Sequence, residues 1–441
     1  MITEFEIITA REKQIPLRKK AMMLSTQLFD LMLDFGPEWK VSNVEANFLE
    51  MIVDITIEYL PKTGVEPESE QICPIYDYME YRRWRHLNIM QYQTYISCRV
   101  PRVKNPEGKV RCIQVPWADS YNRYTYMFEE FVIMVLQATQ NQTKTAGLIG
   151  CKFDVVNRIM HNSVERGLNR RLTKLKYYHL SLDEKSFKKG HNYITVLSDS
   201  ESGIVLDVIE DRTEDACKEL LKSQLDTEQR CTVETISMDM WKPFMKAATE
   251  LLPKAKLTHD RFHLVGYLNK CIDKIRRREV KSEDILRHSR YALLKNRLNL
   301  TDKQYIKFES IMNTTLEVVK GYKIRELFQF IFGCSDMYAA NTMFGLWTRE
   351  AVRTNVKEIL EVVETFKAHA IGIINALYLS NSNAKAERLN GKIQILKTVG
   401  RGYHQFPNFR TAFLFFHGQL ELYPSNIRLC DQKHNPTHFG L

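Results

Sequence analysis

The sequence has no apolar run long enough to cross a membrane and no secretory pattern at its amino terminus. Its most apolar stretches, such as residues 131–136 (FVIMVL), fall well short of the roughly 20 residues that a spanning helix needs. Nine cysteines are scattered from Cys73 to Cys430 without a CxxC pair, so we expect most of them to be reduced and buried. Internal repeats and low-complexity tracts are also lacking. These absences favour a cytoplasmic protein without a membrane partner.

The charge of the chain is unevenly distributed. The 441 residues, long enough for several domains, contain 63 Lys and Arg against 53 Asp and Glu, a net charge of +10. Residues 81–180 alone hold 17 basic and 6 acidic side chains, a local excess of +11. A solvated basic face would explain such an excess, but its concentration in one region favours nucleic acid as the partner.

The segment from residue 177 to residue 260 has the pattern of an α/β domain. Three runs that alternate apolar and polar residues are separated by Gly190 and Gly203, which predicts an antiparallel meander of three strands. Thr213 is the expected N-cap of a following helix, and then a strand, a helix, a fifth strand and another helix are predicted. This order resembles the RNase H fold, a mixed five-stranded sheet with helices.

Three acidic residues stand where this topology would bring them together. Asp183 is predicted on the first, central strand, Asp239 at the end of the fourth strand, and Glu387 on a late helix. In-line displacement at a phosphodiester uses two hard cations with oxygen ligands, so three converging carboxylates could hold two Mg²⁺ or Mn²⁺ ions. Most of the 53 acidic residues must be solvated surface charges. A carboxylate inside a strand is costly unless it is used, which singles out the first two.

Several blocks of the sequence resemble one protein family in the same order. These blocks are DEKSFKKGHNYITVLSD, MDMWKPF, AKLTHDRFH with IDKIRRRE, and AERLNGKIQILKTVGRGYHQFPNFRTAFLFFHG. They are similar to the ISL-three family of bacterial insertion-sequence transposases of the DDE type, and the resemblance extends over about residues 40–424.

The resemblance implies a function and a catalytic site. It implies a DNA transposase that binds the terminal inverted repeats of its element, cleaves at the element ends and directs a 3′ hydroxyl to target DNA. It assigns Asp183, Asp239 and Glu387 as the catalytic, metal-binding triad, with two Mg²⁺ or Mn²⁺ ions as cofactors. Double-stranded DNA and a second copy of the chain, as a homodimer on paired ends, are the partners it implies.

Residues 143–172 have the spacing of a helix-turn-helix. Ala146 would allow two helices to approach, Gly150 would form the turn, and Val156 would pack the second helix back. Apolar core positions are predicted at Leu148, Ile149, Phe153 and Ile159. The predicted DNA-binding face comprises Lys152, Asn157, Arg158, Arg166, Arg170 and Arg171. An ordinary three-helix packing unit without a DNA role is the alternative.

The chain departs from the family at a zinc-binding segment. Where the family has a CPxC pair this chain reads EPES (66–69), and where a further Cys and His are expected it reads NPEG (105–108). Cys73 and Cys112 remain, but two thiols are too few for a tetrahedral zinc site. We therefore expect a β-rich remnant of the module with no structural zinc.

The predicted organisation has five parts. Residues 1–118 form an N-terminal helix with the degenerate zinc-finger-like module, 119–175 the helix-turn-helix, and 176–280 the first part of the RNase H-like core. Residues 281–380, which contain almost no proline, form an all-helical insertion, and 381–441 complete the core and add a tail.

A few further residues are candidates for auxiliary roles. His259 and His263 are four residues apart, but the HExxH glutamate is absent and metal binding by the pair is not expected. Asp260 would orient a ligand at the sheet edge or cap the next helix. Three residues that match family blocks could contact DNA, although ion pairing explains them equally well: His191, Arg212 and Arg261. Lys392, Lys397 and Arg401 follow Glu387 on a basic helix and turn, where they would hold phosphates beside the metals. His263 is a candidate auxiliary residue together with Asp260 and His191.

Three alternatives to a transposase remain open from the sequence. A sequence-specific DNA-binding regulator would use the helix-turn-helix and would not need the acidic triad. A nuclease or resolvase on the same fold would cleave DNA without joining strands. A defective copy would explain the lost zinc ligands, although the retained triad argues against it.

Overall fold

The computed structural model describes residues 25–171, 176–188, 192–379 and 405–424. The chain divides into two compact units. The first comprises residues up to 167 together with those from 421 onward, and the second comprises residues 168–420. Among the helices of these described ranges, none is long and apolar enough to span a membrane.

The first unit contains a six-stranded mixed sheet. Its order is β1-β2-β5-β4-β3 with β6 paired to β5, and only β2 and β5 run parallel. Trp39 and Trp84 each pack on Trp117, with ring centroids 4.9 and 5.5 Å apart, and anchor its core. The strands are β1 (Trp39–Asn47), β2 (Ile52–Tyr59), β3 (Thr63–Val65), β4 (Ile72–Arg85), β5 (Gln93–Lys104) and β6 (Val110–Cys112).

An ion pair occupies the place where the sequence predicts lost zinc ligands. Glu66 is buried, and its Oε2 accepts hydrogen bonds from the backbone amides of Glu68 (3.2 Å) and Ser69 (2.7 Å). Its Oε1 lies 3.2 Å from Nε of Arg111, which also pairs with Glu68. Hydrogen bonds from Ser69 lower the pKa of Glu66, so the carboxylate is charged. The turn at EPES is thereby tied to β6 by side chains.

Three helices follow the sheet: α1 (Tyr126–Thr139), α2 (Gln142–Ile149) and α3 (Phe153–Arg171). Helix α2 ends at Gly150, whose φ of +70° is the left-handed conformation that the predicted turn requires. Ile149 and Ile159 are buried as predicted. The prediction that Leu148 and Phe153 fill the core is wrong, since 72% and 47% of their surfaces are exposed.

The second unit is built on a five-stranded sheet in the order β11-β10-β7-β8-β9. β7, β8 and β9 form the predicted antiparallel meander. β10 pairs with β7 and β11 pairs with β10, both in parallel. The strands are β7 (His179–Lys188), β8 (Asn192–Asp199), β9 (Val205–Glu210), β10 (Thr235–Met238) and β11 (Lys256–His259).

The helices between these strands also appear in the predicted order: α4 (Glu214–Gln224), a short α5 (Thr227–Thr232), α6 (Lys242–Leu251) and α7 (Arg261–Glu279). Thr213 caps α4 as predicted, because its side chain accepts a hydrogen bond from the Ala216 amide. Phe244 of α6 and Leu180 of β7 are buried in one apolar cluster on the same side of the sheet.

Within the described part of 281–380 the regular elements are all helical. Trp347 and Phe328 lie at the centre of their apolar core, and Trp347 donates a hydrogen bond to the Ile324 carbonyl. Besides two short 3₁₀ turns, the helices are α8 (Arg290–Leu294), α9 (Asp302–Met312), α10 (Glu317–Phe330), α11 (Met337–Arg353), α12 (Lys357–Ala368) and α13 (Ala370–Tyr378).

Helix α13 covers the edge strand β11. Asn375 donates a hydrogen bond of 2.9 Å to the Leu257 carbonyl, and the buried ring of His259 lies against Gly372. A methyl group at Gly372 would come within 2.5 Å of that ring, so the glycine is needed for the close approach. A last helix, α14 (Phe406–His417), packs on β9 and is fixed there by the Arg410–Asp207 ion pair.

Candidate active site

The register of the parallel strands places Asp183 beside Asp239. β7 and β10 pair with a constant offset, from Thr235 opposite His179 to Ser237 opposite Ser181. Continued by two residues, this register sets Asp239 opposite Asp183. Paired residues of parallel neighbours point to the same face, and such strands are about 4.8 Å apart. The two carboxylates therefore share one face of the sheet, Asp183 midway along β7 and Asp239 directly after β10.

One imidazole links the two carboxylates. His263, in the first turn of α7, places Nε2 3.7 Å from Oδ1 of Asp183 and Nδ1 3.5 Å from Oδ2 of Asp239. Lys185, two residues along β7 on the same face, places Nζ 2.8 Å from Oδ2 of Asp183. The site thus combines two carboxylates with two cationic or potentially cationic groups.

The electrostatics keep Asp183 ionised although it is largely buried. Burial raises the pKa of its carboxyl, but His263 and Lys185 together outweigh burial and hold the pKa below its usual range. The pKa of His263 is raised, first by its interaction with Asp183 and then by the charges of Asp239 and Asp260, against the opposing effect of burial. The imidazole therefore gains positive character from the carboxylates around it.

Asp260 lies next to Asp239 at the same edge of the sheet, but its side chain caps a helix. β11 pairs with β10 up to His259 opposite Met238, so Asp260 is the next residue along, opposite Asp239. Its Oδ1 accepts a hydrogen bond of 2.7 Å from the Phe262 amide and caps α7. Of the two roles predicted for Asp260, helix capping is the one that the geometry shows.

The residues at this edge suit a hard divalent cation. Oδ1 of Asp183 is buried and has no hydrogen-bond partner among the described residues, so it has a lone pair available for a ligand. Oδ1 of Asp239 accepts a 2.7 Å hydrogen bond from the Met240 amide, which fixes its orientation. Carboxylate oxygens are the donors that Mg²⁺ and Mn²⁺ prefer.

The described ranges do not include the whole predicted site. No cluster of three or more metal-binding side chains is found within them. The third carboxylate, Glu387, lies outside the described residues, and so do four further predicted residues: His191, Lys392, Lys397 and Arg401.

Arg212 is held by three neighbours on the other face of the sheet. Its guanidinium pairs with Glu184 at 2.9 Å and lies over the rings of Tyr193 and Trp241, 4.0 and 4.7 Å from their centroids. The Trp241 indole donates a hydrogen bond to the Arg212 carbonyl. These contacts brace the turn after Asp239 and favour the ion-pair interpretation of Arg212 over a DNA contact.

The predicted DNA-binding residues on α2 and α3 divide into two groups. Lys152 and Arg158 are exposed, and Asn157 is half-buried and accepts a hydrogen bond from Gln142. Arg170 is also half-buried.

Two of the predicted residues do not lie on the exposed face, and for them the prediction of an exposed position is wrong. Arg166 pairs with the buried Glu129 and donates to the Leu422 carbonyl within the first unit. Arg171 donates to the Val205 and Leu206 carbonyls in the second unit. Both arginines turn inward because the carboxylate and the carbonyl groups that they contact are buried, and a buried acceptor requires a hydrogen-bond donor.

Comparison with known proteins decides the family. Residues 180–413, more than half of the chain, match the family described as "Transposase" whose members are the ISL-three insertion-sequence enzymes. The chain belongs to the ISL-three family of insertion-sequence transposases. Two relatives are the transposase for insertion sequence element IS1557 of Mycobacterium tuberculosis and the transposase for insertion sequence element IS1001 of Bordetella parapertussis.

The relatives cover most of this transposase at low identity. The Mycobacterium protein is 24% identical over 357 residues, which are 73% of this chain and 78% of that protein. The Bordetella protein is 23% identical over 347 residues, 75% of this chain and 84% of that protein. A solved structure, the catalytic core domain of BIV integrase, aligns with 31% of the chain at 14% identity, with a TM-score of 0.15 that supports no conclusion.

Lys185 is the residue of this transposase site that the sequence interpretation missed. It lies two positions after Asp183 in a strand, and the alternation of side chains in a strand puts such residues on one face. A basic residue two positions after a buried carboxylate in a strand could therefore have been predicted to form an ion pair with it. The bridging position of His263 could not be read in the same way, because it depends on how α7 packs across the sheet edge.

Proposed function

We propose that the transposase cleaves the ends of its insertion sequence and joins the freed 3′ hydroxyl to target DNA, with Asp183, Asp239 and Glu387 holding two Mg²⁺ or Mn²⁺ ions. The observation that supports this most strongly is that the His263 imidazole lies within 4 Å of a carboxylate oxygen of both Asp183 on β7 and Asp239 directly after the paired strand β10. Two carboxylates so placed, with a buried free oxygen on one of them, are what a divalent metal site needs.

The strand order supports an RNase H-like assignment for the second unit. A meander of three antiparallel strands is followed by two strands that add in parallel beside the first strand of the meander, with helices between. The two carboxylates then stand on the first and fourth strands, as the resemblance to RNase H-type enzymes implies.

The neighbourhood of the missing third carboxylate is also consistent with this proposal. Phe187 of β7 lies two residues beyond Lys185 on the Asp183 face and packs against Phe409 of α14 at 5.0 Å. Glu387 lies in the stretch between α13 and α14, both of which border this sheet.

The divalent ions would activate the attacking oxygen and stabilise the leaving oxygen at the phosphodiester. The protein side chains keep the two carboxylates charged and oriented. Asp183 remains ionised because Lys185 and His263 face it, and Asp239 is oriented by the Met240 amide. Asp183 would hold a cation when one is bound, and the Lys185 ammonium, 2.8 Å from its Oδ2, would then be placed to attract an anionic phosphate. His263 positions the two carboxylates relative to each other.

DNA recognition would be shared between the two units. We assign the terminal inverted repeats to α2 and α3, with the exposed Lys152 and Arg158 and the half-buried Asn157 and Arg170 as the contacting residues. Lys392, Lys397 and Arg401 would hold phosphates beside the metal ions. Since two element ends must be processed together, we propose that the working form is a homodimer on double-stranded DNA.

The experiment uses the full-length protein with a duplex that carries one end of its own element and a separate target duplex, in the presence of Mg²⁺. Asp183→Asn and Glu387→Gln should each lower the rate of end cleavage by at least about 10²–10³-fold, because each removes a charge that stabilises the transition state. Lys218→Ala, which changes an ion pair with Glu214 and Glu250 on α4 and α6, is the matched control.

Each outcome of this experiment has a meaning. Products longer than the donor strand show strand joining and exclude a simple nuclease. Cleavage without longer products would support the nuclease interpretation instead. Cleavage that is equally fast in wild type and Glu387→Gln would remove Glu387 from the mechanism, and end binding with no cleavage by the wild-type protein would favour a regulator.

A further inference from the structure

A group of exposed apolar side chains lies beside the candidate active site. We name Phe262, Phe330, Met337 and Tyr338 the aromatic rim. Their exposed surface fractions are 61%, 81%, 61% and 83%, in that order. Side chains of this size are usually buried, so several exposed ones near an active site mark a candidate binding surface.

The first member of the aromatic rim touches the active-site imidazole. Phe262 lies between Asp260 and His263 in the first turn of α7, and its ring meets the His263 ring edge-on with centroids 5.9 Å apart. His263 in turn lies within 4 Å of both carboxylates. Phe262 therefore lies directly at the site where we propose that a phosphodiester is cleaved.

The remaining members come from the turn between α10 and α11. Arg261 of α7 places its guanidinium 4.6 Å from the centroid of the Phe332 ring, which joins this turn to the first turn of α7. The Gly333 amide donates a hydrogen bond of 2.9 Å to the Leu377 carbonyl at the end of α13. The turn is held from two sides, so Phe330 and Tyr338 are exposed on a fixed frame.

The chemistry of this surface fits unpaired nucleobases. Aromatic rings stack on bases of any sequence, and an arginine guanidinium stacked on a ring adds positive charge for the adjacent phosphate. A duplex keeps its bases stacked on each other, so this surface can act only on bases that have left the helix. In the proposed reaction, a reacting strand that separates locally from its partner at the element end would present such bases to the rim.

We propose that the aromatic rim stacks the unpaired bases that flank the phosphodiester being processed. This inference rests on the proposed function, since it assigns the rim to the DNA strand bound at the same carboxylates. Arg261 contributes the cation, and Phe262, Phe330 and Tyr338 contribute the stacking surfaces.

The test uses the full-length protein and a short single-stranded oligonucleotide that carries one 5-iodouracil, with the corresponding duplex as a second probe. Irradiation should crosslink the single strand to peptides that contain Phe330 or Tyr338. The double change Phe330→Ala with Tyr338→Ala should weaken binding of the single strand by about 5- to 150-fold for each base that loses its partner, and should leave binding of the duplex unchanged.

Ile306→Ala is the matched control, because Ile306 is an exposed apolar residue on α9 of the same helical region. Thermal unfolding of each variant establishes that it is folded. Crosslinks that map elsewhere, or equal single-strand affinities of the double variant and the control, would overturn the proposal. So would a loss of self-association in the double variant, which would show that a second copy of the chain covers the rim.

The two proposals fail in different ways. A protein that crosslinks through Phe330 or Tyr338 but cleaves no element end would refute the proposed function while the stacking surface stands. A protein that cleaves and joins normally after the double change would refute the stacking role alone.

Discussion

Lys185 supplies the shortest ionic contact to Asp183, 2.8 Å from Nζ to Oδ2. Both side chains are mostly buried, with 24% and 18% of their surfaces exposed, so the pair is not a solvated surface bridge. In the absence of a divalent ion the lysine neutralises a carboxylate that burial would otherwise penalise. A lysine in this position competes with metal for the same carboxylate group.

Replacing Lys185 by alanine should make the stability of the protein more dependent on metal. Without divalent ions we expect Lys185→Ala to lose about 1–3 kcal/mol of unfolding free energy, because a largely buried charge loses its partner. Mg²⁺ should then raise the melting temperature of the variant more than that of the wild type, since the ion restores the missing positive charge.

The comparison is made by thermal unfolding with and without Mg²⁺, with Lys218→Ala as the control for a lost lysine away from the site. Equal Mg²⁺-dependent shifts in wild type and Lys185→Ala would show that Lys185 and the metal do not share Asp183.

At the scale of elements, the contact of α13 with β11 depends on a single missing side chain. Gly372 faces the buried His259 ring, and an added methyl group would lie 2.5 Å from it. Because the ring is enclosed, it cannot move away freely. The helix could approach the edge strand this closely only with glycine at that position.

We therefore expect Gly372→Ala to destabilise the protein by about 1–3 kcal/mol through overpacking. Gly345→Ala in α11 is the matched change, since nothing lies within 4 Å of its added methyl group. Alanine is the better helix former, so that variant should be neutral or up to about 1 kcal/mol more stable. Denaturant unfolding measures both, and similar effects of the two changes would contradict the tight contact.

The elements of the second unit follow closely from local sequence patterns, whereas their contacts do not. Alternation predicted β7 to β9, and the hydroxyl of Thr213 predicted where α4 begins. In the first unit, the exposure of side chains was harder to predict. Leu148 and Phe153 are large apolar residues of the kind that usually fill a core, but they lie on the surface. Apolar spacing shows which face of a helix is apolar, but not how many neighbours cover it.

The candidate site was predictable to the same extent. Asp183 and Asp239 could be identified because strands place them at equivalent points of one fold. The positions of Lys185 and His263 relative to them depend on side-chain packing, and so does the pairing of Arg166 with Glu129. An arginine that neutralises a buried glutamate and one that faces a DNA phosphate look the same in a sequence.

At the scale of the whole molecule, the two units should differ in their use of metal. The first unit ties the turn at Glu66 to β6 through Arg111, at the segment where the resemblance led us to expect lost zinc ligands. The second unit presents carboxylates suited to Mg²⁺ or Mn²⁺. A chelator that prefers zinc and a chelator that prefers Mg²⁺ or Mn²⁺ therefore distinguish a zinc site made of thiolates from a site made of carboxylates.

We expect the purified chain to contain no stoichiometric zinc, as measured by elemental analysis, and its melting temperature to be unchanged by a zinc chelator. Glu66→Gln should lower the melting temperature, because the amide leaves Arg111 without its buried partner. Glu68→Gln is the control, since Glu68 pairs with the same arginine from an exposed position. One zinc ion per chain, or unfolding on chelation, would contradict this prediction.

The pairing of β7 with β10 also determines which sequence changes the catalytic edge can tolerate. Loops and helices between the two strands can lengthen or shorten without moving Asp239, because the pairing of β10 with β7 fixes the strand end that Asp239 follows. Deleting a single residue inside β10 would instead turn every following side chain to the opposite side of the sheet. In divergent copies of the gene, the number of residues between Asp183 and Asp239 should therefore vary freely through the loops and helices, whereas β10 itself should neither gain nor lose a single residue.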